Sequence, residues 1–334
     1  MPVKVWGGSN RGADEILHLH SELKKLSILI EINLMKPFLT LLLFIFILNI
    51  AAADTKKHDF KGAAVAEVYK EASGDKLWIY RFDPANYKPE SDSRPAVVFF
   101  FGGGWNGGTV GQFEQQAKYL AARGMVAFVA DYRVKQRQKT NPDACVADGK
   151  SAVRWVRQNA KRLGIDPDRI AAGGGSAGGH VAATTGICDG LDDPAEVDSK
   201  ISSRSNALLL FNPVYDNGPK GYGHSRVKQW FPAISPAHNI SKDDPPTIVF
   251  LGSKDSLVPV ETAKKFDADL KAAGVQSEVW IYEDQPHGFF NEGKSKESFL
   301  DTVLKMDAFL AANGWLDGKP DREKLNSLLK TKTK

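Results

Sequence analysis

The chain has 334 residues, 42% of them hydrophobic and 25% charged, with a formal net charge of +4. This is an ordinary globular composition, sufficient for one sizeable α/β domain. The basic excess is slight and concentrated only in the C-terminal "KTKTK", a frayed tail, so nucleic acid is not expected as a partner.

The first 53 residues read differently from the rest. From Met35 the sequence runs "MKPFLTLLLFIFILNIAAAD", with a lysine, an apolar run from Pro37 to Ile50, and then Ala51, Ala52 and Ala53. Charge, apolar core and small residues, in that order, describe a secretory signal peptide over 35–53. The run falls short of the ~20 residues that cross a bilayer. A cleaved leader is therefore expected rather than a retained anchor, with the mature chain secreted or periplasmic. No stable membrane insertion of that chain is expected. Residues 1–34 sit awkwardly ahead of such a leader, and translation is expected to start at Met35.

Beyond residue 53, apolar strand-like runs alternate with helical patterns. "VAEVYK" and "KLWIYRF" read as an antiparallel pair, and "PAVVFFF" as a strand buried on both faces. A helix around "FEQQAKYLAARG" closes at Gly124 and precedes the strand "VAFVADYR". A long helix from about Pro142 to Leu163 leads into the strand "RIAAGG". A helix after Ser176 follows, then the strand "NALLLFNP" and a Pro- and aromatic-rich stretch over 213–246. The order ends with strand "TIVFLGS", helix "VETAKKFDADLKAAG", strand "SEVWIYE" and helix "ESFLDTVLKMDAFLAANG". Such alternation predicts an α/β fold with a mostly parallel central sheet, helices on both faces and a short cap segment. No repeat or linker divides it, so residues 54–334 form a single domain with a short C-terminal tail.

Cys145 starts one predicted helix and Cys188 ends another. Both helices begin at the same sheet edge, so the sulfurs should lie on the order of 15 Å apart at 1.5 Å per residue. A disulfide needs Cα atoms within about 7 Å, so two buried free thiols are expected.

The stretch "RIAAGGGSAGGH" (169–180) has two parsings. Residues 173–178 fit G-x-G-x-x-G, a dinucleotide-binding turn, and residues 174–178 fit G-x-S-x-G, a turn presenting a nucleophilic serine. A dinucleotide turn usually follows the first strand and has an acid ending the second strand, about 20 residues on. Here several strands come first, and Asp192, Asp193 and Glu196 sit in a polar loop with no strand leading into it. No G-K-[ST] follows either glycine cluster, which excludes a P-loop. A serine nucleophile instead needs a base, and the base needs a carboxylate, in the chain order Ser, acid, His. Asp255 just past "TIVFLGS" and His287 in the loop after "VWIYE" occupy those places. Donors for the oxyanion come from Ala177 and from the glycine turn "FFFGGGWNGG".

With these motifs in place, the chain resembles the α/β-hydrolase-fold esterases. The similarity is to the bacterial esterase/lipase group with hormone-sensitive-lipase-like, acetylxylan and feruloyl esterases. It covers most of residues 64–314 and rests on "GGSAGGHVAA", "SAVRWVRQNA", "VADYR", "SPAHNI", "PPTIVFLGSKDSLVPV" and "PHGF". It implies a catalytic triad of Ser176, Asp255 and His287, and an oxyanion hole of Gly103, Gly104 and Ala177. It also implies no cofactor and a small-molecule or polysaccharide ester as substrate, short acyl groups on xylan-type glycans above others. Where the family has H-G-G-G the chain has Phe101 before its glycines, which places the stiffness of the turn in question. Trp105, Tyr215, Tyr222 and Trp230 either line a sugar- or acyl-binding cleft or pack a cap over the sheet. Glu283 and Asp284 are rival acids too close in sequence to reach the far nitrogen of His287. His180, one turn past Ser176, reads as a packed or surface residue, and His224 and His238 as structural or solvent-facing. Asp131, Tyr132 and Arg133 read as scaffold contacts. No metal-spaced cluster of His and Cys is present. The alternatives are a prolyl-oligopeptidase-like peptidase (although no room is left for a gating propeller), a formamidase, or a non-catalytic binding protein on the same scaffold.

Overall fold

The apolar runs set the architecture, because strands buried on both faces need helices on both sides. A computed structural model of the protein describes residues 57–330 apart from Ser73 and Asp198. The leader expected over 35–53 and the stretch before it lie outside the described residues. Eight strands form one sheet in the order β1-β2-β4-β3-β5-β6-β7-β8. They are β1 (Val65–Ala72), β2 (Asp75–Phe82), β3 (Arg94–Phe100), β4 (Val126–Ala130), β5 (Ile165–Gly175), β6 (Ala207–Phe211), β7 (Thr247–Gly252) and β8 (Ser277–Tyr282). Strand β2 runs antiparallel to both β1 and β4, and the remaining pairs are parallel. Every residue of β4, β6 and β7 is buried, in keeping with their largely apolar sequences VAFVA, ALLLF and TIVFLG.

The helices longer than one turn are α1 (Glu114–Ala122), α2 (Pro142–Gln158), α3 (Ala177–Ile187), α4 (Val260–Ala272), α5 (Lys296–Ala312) and α6 (Arg322–Lys330). Helix α1 ends on Gly124 at φ 105°, where Met125 N–H returns to Leu120 O at 3.1 Å; only glycine takes that turn without strain. Proline at the first position of α2 fits the place where a missing N–H costs nothing. The helix stops at Gln158, five residues before the expected end at Leu163. Its last turn unwinds so that Ile165, donating to Ala160 O at 2.9 Å, can enter β5. Helix α6 forms where the sequence predicts only a short C-terminal tail. It packs against α1 with Leu325 and Leu329 buried, and Asp321 N–H ahead of it donates to Tyr119 Oη at 2.9 Å.

Asp131, Tyr132 and Arg133 brace the scaffold, as read. Asp131 takes a two-point contact from Arg137 at 2.8 and 2.6 Å, and Arg133 does the same to the fully buried Asp148 at 2.8 Å on both sides. Cys145 and Cys188 are both free and buried. Burial pushes the Cys188 thiol up to about 12 and the Cys145 thiol higher still.

Candidate active site

The glycines of the central turn are explained by what surrounds them. A Cβ on Gly174 would lie 2.4 Å from Gly178 O, and one on Gly178 would lie 2.2 Å from Phe100 O. Strand β5, helix α3 and the end of β3 thus approach backbone to backbone. Between β5 and α3, Ser176 is held at φ 54° and ψ −119°, a conformation that costs a non-glycine residue about 1–3 kcal/mol. The turn lifts the hydroxyl off the sheet edge and leaves Ala177 as the first residue of α3, whose opening N–H groups lack intrahelical partners.

Three side chains predicted from the sequence meet here. Ser176 Oγ lies 2.9 Å from His287 Nε2, and His287 Nδ1 lies 2.7 Å from Asp255 Oδ2. A carboxylate can only accept, so Nδ1 carries the proton and donates, leaving Nε2 to accept from the serine hydroxyl. The carboxylate of Asp255 is fully shielded from solvent. Its other oxygen, Oδ1, accepts from the N–H groups of Leu257 and Val258 at 2.8 and 3.0 Å. These bonds close the 255–258 turn, while α4 itself opens on Pro259 without a side-chain cap. The rival acids point elsewhere: Glu283 accepts from Ser253 Oγ at 3.1 Å, and Asp284 pairs with Lys254 at 2.6 Å.

The cleft around Ser176 has a volume of about 340 Å³, and Gly102, Gly103, Gly104, Tyr222, Leu257 and Phe290 line it together with His287. Gly103 and Gly104 adopt φ 137° and 62°. A Cβ on Gly103 would strike Gly107 O at 2.2 Å, so the turn admits only glycine there. Phe101 does not loosen it. Its ring is buried and stacks on Tyr132 at 4.2 Å, while Tyr132 Oη donates to Phe101 O at 2.6 Å. Aromatic packing braces the turn where the family's histidine would stand.

Three amides that the sequence reading did not single out tie the site together. Gln112 Oε1 accepts from Gly102 N–H at 2.6 Å, and Gln112 Nε2 donates to Asn291 Oδ1 at 3.1 Å. Asn291 Nδ2 donates to Gly288 O at 2.7 Å. Asn212, fully buried after β6, accepts from Gly288 N–H at 2.8 Å through Oδ1. The glycine turn and the histidine loop are therefore linked by side chains, and no local motif signals these residues.

The aromatic assignments need correction. None of Trp105, Tyr215 and Trp230 lines the Ser176 cleft; Tyr222 and Leu257 do. Tyr215 is buried and stacked on Phe266 at 4.5 Å, although it borders an adjoining cavity that shares Tyr222 and Leu257 with the cleft. Trp230 packs against Val146, Val227 and Ile234. Trp105 meets His180 edge-on at 5.1 Å. The apolar area of Trp105 and Tyr215 is buried in the main core, while the half-buried Trp230 packs on a small cluster that includes Val146 of α2. His180 is likewise packed: it is fully buried, donates from Nε2 to Ile234 O at 2.8 Å, and desolvation pushes its pKa down to about 4. His224 donates from Nδ1 to Asn217 O at 2.8 Å, and His238 meets Ser235 Oγ at 2.9 Å.

A family model described as BD-FAE matches residues 84–216, and that of the prolyl oligopeptidase family matches residues 199–313. Esterase LipC of Mycobacterium tuberculosis is 29% identical over 63% of this chain and 59% of its own. An acetylxylan esterase of Xylanibacter ruminicola is 27% identical over 61% of this chain and 42% of its own. The chain thus spans about half the length of the curated relatives it matches. Among solved structures, esterase 2 of Thermogutta terrifontis phosphoramylated by tabun is 45% identical with a TM-score of 0.74, covering 77% of this chain and 97% of that one. Its structures also include propionate-bound and butyrate-bound forms. Shared fold, shared sequence and near-complete coverage of that esterase place this chain in the family of α/β-hydrolase-fold serine esterases.

Proposed function

We propose that the protein is a carboxylic ester hydrolase working through Ser176, His287 and Asp255. The observation that carries this reading is the unbroken hydrogen-bonded row from the serine hydroxyl through the imidazole to the buried carboxylate. Ser176 Oγ attacks the ester carbonyl carbon as His287 Nε2 takes its proton, and Asp255 stabilises the imidazolium. The oxyanion rests on N–H groups of Ala177, Gly103 and Gly104, each donor worth about 3 kcal/mol in comparable sites. The tetrahedral intermediate collapses, the alkoxide leaves with the proton from His287, and water cleaves the acyl-enzyme with His287 as base. The cycle as drawn uses no cofactor.

Acyl groups of a few carbons suit the cleft. Phe290 sits against Phe113 and Phe211 at 5.6 and 5.1 Å, and a Cβ on the neighbouring Gly175 would lie 2.4 Å from its ring. That wall has little room to retreat. The propionate- and butyrate-bound forms of the similar Thermogutta esterase favour the same size range. The resemblance to acetylxylan esterases makes acetylated xylan-type glycan, met outside the cytoplasm after removal of the 35–53 leader, the substrate we favour. The prolyl oligopeptidase match over residues 199–313 favours a second reading, a peptidase.

One experiment separates these readings. Wild type should hydrolyse p-nitrophenyl acetate and butyrate well and the octanoate poorly, and leave Gly-Pro p-nitroanilide intact. Ser176→Ala should lose ester turnover by 10³-fold or more with an unchanged melting temperature. Equal ester rates in wild type and variant would remove the esterase; anilide cleavage exceeding ester cleavage would favour the peptidase.

A further inference from the structure

A second cavity, about 230 Å³, is bordered by Trp105. It is lined by Lys135, Thr140, Asn141 and Pro142, by Ser225, Arg226, Lys228 and Gln229, and by Trp105 and Trp230. Its charge is one-sided. Three cations border it and no carboxylate lines it. Among the described residues neither Lys135 nor Lys228 has an ion-pair partner, although Arg123, Arg133, Arg137 and Arg154 are all matched with acids. Asn141 and Pro142 are the start of α2, a helix of 17 residues whose positive end adds to the field, against one acid in its first turn, Asp143, which does not line the cavity. The hydroxyl of Thr140 is shielded from solvent and has no hydrogen-bond partner among the described residues. Cations held together without counter-charge repel one another, and a bound anion relieves that repulsion.

The cavity is also tied to the chemistry. Arg226 donates from Nη1 to Gly104 O at 2.7 Å and lies over the Trp105 ring at 4.7 Å. Tyr222, which lines the Ser176 cleft, packs on Trp105 at 5.7 Å, and the same guanidinium lies over its ring at 5.4 Å. The two cavities are thus neighbours, joined by the contact of Trp105 in one lining with Tyr222 in the other.

We infer that this cavity is a subsite for an acidic saccharide, a uronate ring whose carboxylate meets Lys135, Lys228 and the start of α2. The ring face packs on the half-buried Trp230, and its hydroxyls meet Ser225 and Gln229. Aromatic and amide groups beside the cations favour a polar ring over a bare inorganic anion. The site would hold an acidic residue of the glycan while an ester on a neighbouring residue is presented to Ser176. The binding event stands independently of the esterase reading; its use in catalysis rests on it.

The test titrates methyl glucuronide, methyl xyloside and inorganic phosphate against the protein, read by tryptophan fluorescence and calorimetry. Wild type should bind methyl glucuronide at least tenfold tighter than methyl xyloside, more weakly as salt rises. The Lys135→Gln/Lys228→Gln double variant and Trp230→Ala should each weaken the glucuronide by tenfold or more. The double variant should keep wild-type turnover of p-nitrophenyl acetate and show a raised KM only for acetylated oligosaccharides that bear uronate. Unchanged glucuronide affinity in the double variant overturns the proposal. So does phosphate binding as tightly as glucuronide with no effect of Trp230→Ala, which would leave an unselective anion site. Absent p-nitrophenyl acetate turnover with glucuronide binding intact would instead remove the esterase reading alone.

Discussion

Replacing Asp255 by asparagine isolates what the buried carboxylate does. Its two oxygens have separate tasks: Oδ1 accepts from the N–H groups of Leu257 and Val258, and Oδ2 accepts from His287 Nδ1. The two backbone donors are fixed by the turn before α4, so an asparagine must turn its carbonyl oxygen toward them. Its NH2 group then faces His287 Nδ1. Two donors cannot share that 2.7 Å contact, so the imidazole moves its proton to Nε2 and can no longer accept from Ser176. The fold keeps its hydrogen bonds while the base is lost. A wrong tautomer of this kind costs about 10⁴ in kcat, roughly 5 kcal/mol at 1.36 kcal/mol per decade. The assay is kcat for p-nitrophenyl acetate, with the urea midpoint measured alongside. Retention of activity within tenfold of wild type, in a variant as stable as wild type, would refute the reasoning about which oxygen faces which donor.

Two further outcomes follow from the packing. Gly178→Ala drives a methyl group to within 2.2 Å of Phe100 O and 2.3 Å of Phe101 O. The start of α3 must then back away from the glycine turn. A stability loss of about 1–3 kcal/mol, with kcat falling on the order of 10²-fold from the displaced serine, should appear in urea unfolding and ester turnover; unaltered kcat would show that the close approach does not set the geometry. His180 gives a pH signature. Desolvation holds its folded-state pKa near 4, below the ordinary 6.5, so the unfolded chain binds the extra proton first on acidification. Its contribution is complete above about pH 6.5 and is lost as pH falls toward 4, reaching roughly 3 kcal/mol. His180→Gln should flatten the fall in unfolding free energy between pH 6.5 and 4, and equal slopes for both proteins would contradict the assignment.

The sequence by itself determined the pieces whose signals are local. Glycines around Ser176 announce a turn in which backbones touch. Unbroken apolar runs announce buried strands, and positions just past β7 and β8 announce where Asp255 and His287 stand. Each of these depends on the identity of a residue and of its near neighbours in the chain. Tertiary structure alone decided the rest. The bond between Gln112 and Asn291 spans 179 positions and that between Asn212 and Gly288 spans 76, so no spacing rule reaches them. Phe101 reads as a loss of rigidity until Tyr132 is seen stacked beneath it. Trp105 and Tyr215 have sequence settings that suit a cleft as well as a packed cap, and only their burial separates the two. Leu325 and Leu329 secure α6 because α1 is there to cover them. A motif specifies what a residue can do. The surface it meets is supplied by distant segments, brought together by the burial of apolar area, which carries no directional preference of its own.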